Sequence, residues 1–310
     1  MKYVYGPVPS RRLGRSLGID PIPSKTCDYQ CIYCQLGKTT NFTSERKNFY
    51  PLEEIYEEIE QSINKNKGEF DYITFVGSGE PTLCKSLGKL ILKAKELSKK
   101  PICVITNGSL LYQDDVKDDL IFSDVVLPTL DAGDEKLFIK INRPHPSIKY
   151  EKIIQGYIDF RKEFNGKFWI EIMVMKGIND SREELFKIKK KIDLIQPDRI
   201  DINVPIRPPT ESWVKIPDQD VIPILNDIFG DYNNINFPEQ GTFSVFGLNF
   251  EKELKTLLER HPMRLEQITE TFSSKAVNEQ DLLDQLNTLA SQNKIKKVIY
   301  NNQTFWKLTN

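Results

Sequence analysis

The spacing of apolar residues switches between two periods along most of the chain. The run Pro51-Leu52-Glu53-Glu54-Ile55-Tyr56-Glu57-Glu58-Ile59 opens a helix with proline and acidic residues in its first turn, where the macrodipole favours negative charge. Residues 71–77 are then short, β-branched and aromatic, as a buried strand requires, and they run straight into a glycine-rich turn. The alternation continues with a helix over 83–99, a strand over 101–108 and a shorter helix over 114–121. Strands follow over 124–131, 168–175 and 199–204, separated by helices over 150–164 and 181–194. With a short strand over 17–20, the pattern amounts to about six β/α units.

Strands that alternate with helices imply a parallel sheet with right-handed crossovers. Six units are too few to close the eight-unit barrel, so the fold class predicted is α/β, a partial, open, TIM-like (β/α)6 barrel. Chemistry in such barrels collects at the carboxyl ends of the strands, and the polar motifs of this chain lie there: the cysteine loop, 77–81, 106–107, 129–131 and 203–207. Turns are polar in any protein, so their convergence on one rim says more than any single motif. A boundary follows the segment 234–249, dividing a barrel over 1–249 from a small unit over 250–310. That unit reads as three helices, 252–260, 265–272 and 279–293, and an apolar hairpin, 297–306, which looks like a winged helix. Its third helix carries Glu279, Asp281 and Asp284 and no basic residue before Lys294. Duplex DNA needs phosphate neutralisation on that helix, so the charge pattern favours protein docking, RNA positioning or covering of the active site, although Lys294, Lys296 and Lys297 can still touch a nucleic-acid backbone.

Composition narrows the setting. Forty-three basic residues against forty-four acidic ones exclude a polybasic nucleic-acid protein but not a local basic patch. No apolar run of about eighteen residues offers a membrane span, and the start Met1-Lys2-Tyr3-Val4-Tyr5-Gly6-Pro7 lacks the apolar core of a signal peptide. Five cysteines in 310 residues do not make a disulfide framework, so a reducing cytoplasm is the expected compartment.

Three of those cysteines, Cys27, Cys31 and Cys34, stand in Cys-x3-Cys-x2-Cys spacing. Three thiolates can hold a four-iron cube and leave one iron open, which a catalytic metal needs and a structural one lacks. The competing reading, a zinc shared with a distant fourth ligand, is opposed by the spacing and by only two histidines in the chain. This spacing, with the aromatic Tyr33 before the last cysteine, resembles the radical S-adenosylmethionine superfamily. The resemblance implies a [4Fe-4S] cluster on Cys27, Cys31 and Cys34, an S-adenosyl-L-methionine cofactor and a one-electron donor such as flavodoxin or ferredoxin. Reduction then cleaves the cofactor to methionine and a 5′-deoxyadenosyl radical that abstracts hydrogen from a substrate. Cys84 and Cys103 are isolated, which argues against auxiliary clusters and against subgroups that use a second cysteine pair.

Gly77-Ser78-Gly79-Glu80-Pro81 is similar to the Gly-Gly-Glu-Pro segment with which the superfamily holds the amino group of the cofactor, with Ser78 in place of the second glycine. Thr106 and Asn107, and one strand later Thr129 and Asp131, offer short hydrogen-bonding groups for ribose and adenine. Leu127-Pro128-Thr129-Leu130-Asp131-Ala132 resembles the superfamily segment whose small hydroxyl contacts the ribose, and by the same likeness Tyr33 flanks the adenine. Residues 173–180 look like part of the molybdenum-cofactor biosynthesis enzymes, with Met173 and Met175 assigned to core packing in preference to adenine stacking. Arg11, Arg12 and Arg15 near the start, and Asn203 and Arg207 after the last strand, are candidates for binding an anionic substrate; for the first three a solvated basic turn is an equal reading. Taken with the Cys34-Gln35-Leu36-Gly37-Lys38-Thr39 continuation and the Arg207-Pro208-Pro209 loop, these segments resemble the wyosine-synthetase-like radical enzymes, which implies a tRNA base as substrate. A glycyl-radical enzyme activase acting on a protein, a small-metabolite radical enzyme and a cluster-bearing DNA-binding sensor are the alternatives. Glu80 and the polar strand ends are unnecessary for a sensor. No residue beyond Phe250 is assigned to cluster or cofactor, so a chain cut there is expected to keep cofactor cleavage.

Overall fold

Residues 2–66, 68–236, 243, 249–272 and 279–309 are described by a computed structural model. The chain opens with β1 (Val4–Ser10) and β2 (Gly14–Ile19), an antiparallel pair, and then the cysteine loop, within which β3 (Thr26–Cys27) and β4 (Asn41–Phe42) form a two-residue ladder. Next come α1 (Leu52–Asn66), β5 (Tyr72–Phe75), α2 (Leu87–Leu97), β6 (Ile102–Thr106), α3 (Asp114–Leu120), β7 (Val125–Pro128), α4 (Glu135–Asn142) and α5 (Tyr150–Glu163). The barrel ends with β8 (Lys167–Met173), α6 (Arg182–Ile195), β9 (Arg199–Asn203), α7 (Val221–Phe229) and β10 (Asn233–Asn234).

Eight strands form one sheet in the order β1-β2-β5-β6-β7-β8-β9-β10, parallel at every step after the first pair, and the sheet curls into a half barrel. The inner strands are apolar on both faces because helices cover one side and the barrel interior fills the other. In α1 the buried Ile55, Ile59 and Ile63 recur every fourth residue, and in α2 Leu87, Leu90, Ile91 and Ala94 do the same work.

All six expected strands are present, and the departures have local causes. Pro7 and Pro9 disguise β1, yet an edge strand tolerates proline because one side of it needs no ladder donor. Pro223 similarly hides α7, where it falls in the first turn and needs no amide partner. The helix expected from residue 83 starts at Leu87, because Pro81–Leu83 takes a 3-10 turn capped by the Glu80 side chain. A polar stretch conceals α4, whose start is fixed by Asp134 accepting from Leu137 N at 2.9 Å.

The C-terminal unit comprises α8 (Phe250–Leu258), β11 (Met263–Arg264), α9 (Leu265–Phe272), α10 (Glu279–Ser291), β12 (Ile295–Tyr300) and β13 (Gln303–Leu308), with strands in the order β11-β13-β12. Most of the connecting segment, 237–242 and 244–248, lies outside the described residues. Leu254, Leu257, Met263, Ile268, Leu286 and Trp306 share one apolar cluster with Tyr5 and Val8 of β1. The edge strand of the barrel is therefore part of the second unit's core.

Candidate active site

Cys27, Cys31 and Cys34 are partly exposed on the loop after β2, whereas Cys84 and Cys103 are buried in the body of the fold. The loop is pinned by its backbone: Gln30 N donates to Asn142 O at 3.0 Å and Ile32 N to Ile141 O at 3.0 Å, both at the end of α4. Asp131 fastens it again, accepting from Tyr33 Oη at 2.6 Å, Asn142 Nδ2 at 2.9 Å and Met173 N at 2.8 Å. Asp28, between the first two cysteines, accepts from Asn107 Nδ2 at 2.6 Å and from the Ser109 hydroxyl; burial lifts its carboxyl to about 6 against the pull of those donors.

Several N–H groups aim at the sulfurs. Tyr29 N lies 3.4 Å and Asn107 Nδ2 3.7 Å from Cys27 Sγ, and Asn142 Nδ2 lies 3.5 Å from Cys31 Sγ. Burial pushes all three thiols up, so a cationic centre is what would hold them as thiolates. Among the described residues no three Cys, His, Asp or Glu side chains converge on a single ion. Three soft donors on one loop, with N–H groups turned to two of their sulfurs, fit a polynuclear iron cluster.

The turn after β5 is built against this loop. A Cβ on Gly77 would lie 1.9 Å from Asp20 Oδ1, and one on Gly79 would lie 1.9 Å from Thr26 O, so both positions require glycine. Lys25 N donates to Ser78 O at 2.5 Å and Glu80 N to Thr26 O at 3.0 Å. Ser78 gains a bond that a glycine there would lack: its hydroxyl donates to Asp20 Oδ2 at 2.8 Å, beside the 3.1 Å bond from its amide. Glu80 Oε1 accepts from Thr82 N, Thr82 Oγ1 and Thr106 Oγ1, and Oε2 accepts from Asn107 N at 2.6 Å. Oε2 keeps acceptor capacity for a further donor such as an ammonium. Burial, with Asp28 adding to it, raises the Glu80 carboxyl to about 7.

A cavity of about 320 Å³ joins these features. Cys27, Tyr33, Cys34, Gly77, Gly79 and Glu80 line one part of it, together with Thr106, Asn107 and Thr129; Arg11, Arg12, Asn203 and Arg207 line another. Ser78, Pro81 and Asp131 stand behind this lining as supports, Cys31 is set back within the loop, and Arg15 lies away from the cavity on β2, exposed. Met175 is core, and the half-buried Met173 packs against that core while also lining the cavity.

The polar wall is internally bonded. Arg12 Nε pairs with the Glu171 carboxylate, which also accepts from Asn203 Nδ2 at 3.1 Å. Arg11 donates to Asn203 Oδ1 at 2.8 Å and to Ile235 O at 2.6 Å. Burial opposes the charge of Glu171, yet the Arg12 guanidinium beside it holds the carboxyl below its ordinary value. Arg207 donates to Gln35 Oε1 at 2.8 Å and approaches His261 Nδ1 at 3.1 Å.

Sequence reasoning missed Asp20, Asp28, Tyr157, Glu171, Arg260 and His261. Glu171 was detectable as a lone carboxylate inside an apolar strand, and Asp28 by its place between two cysteines. Tyr157, on α5, lies 3.1 Å from Asn107 O and 2.9 Å from Thr129 O and so ties two strand ends together. Arg260 and His261 line the cavity from the C-terminal unit, which no local pattern announces.

The Radical SAM superfamily matches residues 22–188. GTPase Obg of Brachyspira hyodysenteriae is 49% identical over 201 residues, which is 65% of this chain but only 29% of that protein. A UPF0026 protein of Methanocaldococcus jannaschii is 37% identical over 313 residues, covering 99% of this chain and 96% of the relative. RlmN of Endomicrobium trichonymphae, described as a probable dual-specificity RNA methyltransferase, is 29% identical over 203 residues, 62% of this chain and 56% of that protein.

Proposed function

The chain belongs to the radical S-adenosylmethionine superfamily and, within it, to the UPF0026 proteins, and we propose that this enzyme takes hydrogen from an anionic substrate, a base in RNA and tRNA first, held between its cysteine loop and its arginine wall. One observation carries the reading: a single cavity is lined by two of the three cluster cysteines and by Arg11, Arg12, Arg207 and Arg260, four guanidiniums against the carboxylates of Glu80 and Glu171. Cys27, Cys31 and Cys34 would hold a [4Fe-4S] cluster, which, with an external one-electron donor of the flavodoxin or ferredoxin kind, would supply the electron for reductive cleavage of S-adenosylmethionine.

The residues of the chain bind, orient and exclude water. Glu80 Oε2 would take the cofactor ammonium, and Asn107 and Thr129, which line the same cavity, would hold the ribose. Val76, Ile105 and Met173 supply apolar walls that keep water from the reacting atoms. Guanidinium groups match phosphate in a bidentate fork; Arg12 and Arg260 are paired with Glu171 and Asp20, and Arg11 and Arg207 add two more guanidiniums to the wall, which suits an anionic substrate such as a nucleotide. The RNA methyltransferase relative supports the same substrate class.

The test is a nucleoside digest of RNA from cells with and without the protein, read by mass spectrometry. One modified nucleoside is expected to disappear on deletion and to return with the intact gene but not with a Cys27→Ala version. RNA nucleosides that stay unchanged while a small metabolite shifts would overturn the RNA assignment.

A further inference from the structure

Arg260 follows α8, outside the barrel, yet its guanidinium reaches the barrel's cofactor side. The residue is 7% exposed. Its guanidinium carbon sits 4.6 Å from the centre of the Tyr5 ring, and its NH2 lies 3.3 Å both from Asp20 Oδ2 and from Lys2 O. NH1 donates to Thr256 O at 3.2 Å and has the half-exposed Glu259 at 3.8 Å. Asp20 is 2% exposed, and the oxygen that meets Arg260 is the one that accepts both Ser78 bonds. Its other oxygen abuts Gly77. The next residue, His261, meets Arg207 and Gln35, and Gln35 Nε2 donates to Arg260 O at 2.9 Å. Two consecutive residues thus span from the Gly77–Glu80 turn to the substrate wall.

We propose that Arg260 is a positioning residue for the cofactor turn: it fixes Asp20, Asp20 fixes Ser78, and the C-terminal unit is thereby a working part of the S-adenosylmethionine site. The proposal rests on the reading of Gly77–Glu80 as that site. Stability alone is a weak reason for such a pair, because a buried ion pair can often be replaced by apolar groups at little loss. What apolar groups could not reproduce is a positive charge set against Asp20 Oδ2, the oxygen that accepts from both polar groups of Ser78, two residues before Glu80.

The full-length protein, reconstituted anaerobically with iron and sulfide, is titrated with S-adenosylmethionine by equilibrium dialysis, with iron content and thermal unfolding recorded alongside. Arg260→Met is expected to weaken binding about tenfold through loss of the charge that holds Asp20, with iron per chain unchanged, and Arg260→Lys to restore most of it. In an Asp20→Asn background the same Arg260→Met change should add no more than about twofold, since the relay is already cut. Ser78→Ala removes one hydroxyl, should weaken binding about threefold, and gives the reading should Arg260→Met not fold.

Wild-type affinity in Arg260→Met, or in Ser78→Ala if only that variant folds, overturns the proposal. So do additive losses from Arg260→Met and Asp20→Asn, the mark of a guanidinium that touches the cofactor itself. Glu80→Ala measured in the same series separates the two readings. If it binds normally, the turn is not the cofactor site and the proposal goes with it; if it binds weakly while Arg260→Met binds normally, only the positioning role fails.

Discussion

Arg12, in the turn between β1 and β2, is joined to Glu171 in the apolar strand β8 by a charge pair on the cavity wall. Removing the buried carboxylate leaves the part-buried Arg12 uncompensated on the cavity wall, so Glu171→Ala should destabilise the protein by about 1.5–3 kcal/mol in urea unfolding at neutral pH. The pH dependence has a definite sign. The folded carboxyl ionises below its ordinary value of 4.5, so the contribution is present above about pH 4.5 and is lost as the pH falls through the folded value. The stability gap between wild type and Glu171→Ala should narrow in acid; a constant gap would show that packing, not charge, accounts for it.

Cluster content follows from Cys27, Cys31 and Cys34 being the only grouped cysteines in the sequence. Anaerobic reconstitution should give about four irons per chain, and alanine at any of the three should abolish the characteristic absorption. A content near eight, or a cluster that survives triple replacement, contradicts the assignment.

Glu80→Ala should weaken S-adenosylmethionine binding by about 1.5–3 kcal/mol, the range for a hydrogen bond to a charged group, while leaving iron content intact. Because burial raises Glu80 to about 7 in the free protein, its negative charge is largely lost by pH 6. Cofactor affinity should therefore fall roughly threefold to tenfold between pH 8 and pH 6, and this dependence should vanish in Glu80→Gln. Dialysis across that range is the measurement.

Cutting the chain before Phe250 tests the role of the C-terminal unit. From sequence, cofactor cleavage should survive the cut, since no ligand was placed beyond it. The packing motivates the opposite prediction, because the cut would expose Tyr5 and Val8 and remove Arg260 from Asp20. The truncated protein should unfold at lower temperature and yield little 5′-deoxyadenosine after dithionite reduction; full retention of cleavage would restore the earlier view.

The six parallel strands were legible because buried strands and amphipathic helices differ in period, and the cysteine spacing because ligand geometry is local. Glu80 and its turn were legible for the same reason. Contacts between residues far apart in the chain left no such trace. Nothing around Arg260 in the sequence points to Asp20, 240 positions earlier, and nothing around Tyr157 points to the carbonyls of Asn107 and Thr129. Asp131 was legible as a polar strand end, but its bonds to Tyr33, Asn142 and Met173, partners 98, 11 and 42 positions away, were not. Proline hid β1 and α7, since the same residue marks a loop in one setting and an edge or a first turn in another.

The apolar cluster that joins Tyr5 and Val8 to α8 and Trp306 sets a schedule for synthesis. The first strand leaves the ribosome about 250 residues before its packing partners, a delay on the order of 12–50 s at ordinary elongation rates. Throughout that interval the first strand carries two uncovered apolar side chains, which is where a chaperone would be needed and where a stalled or prematurely released chain would first aggregate.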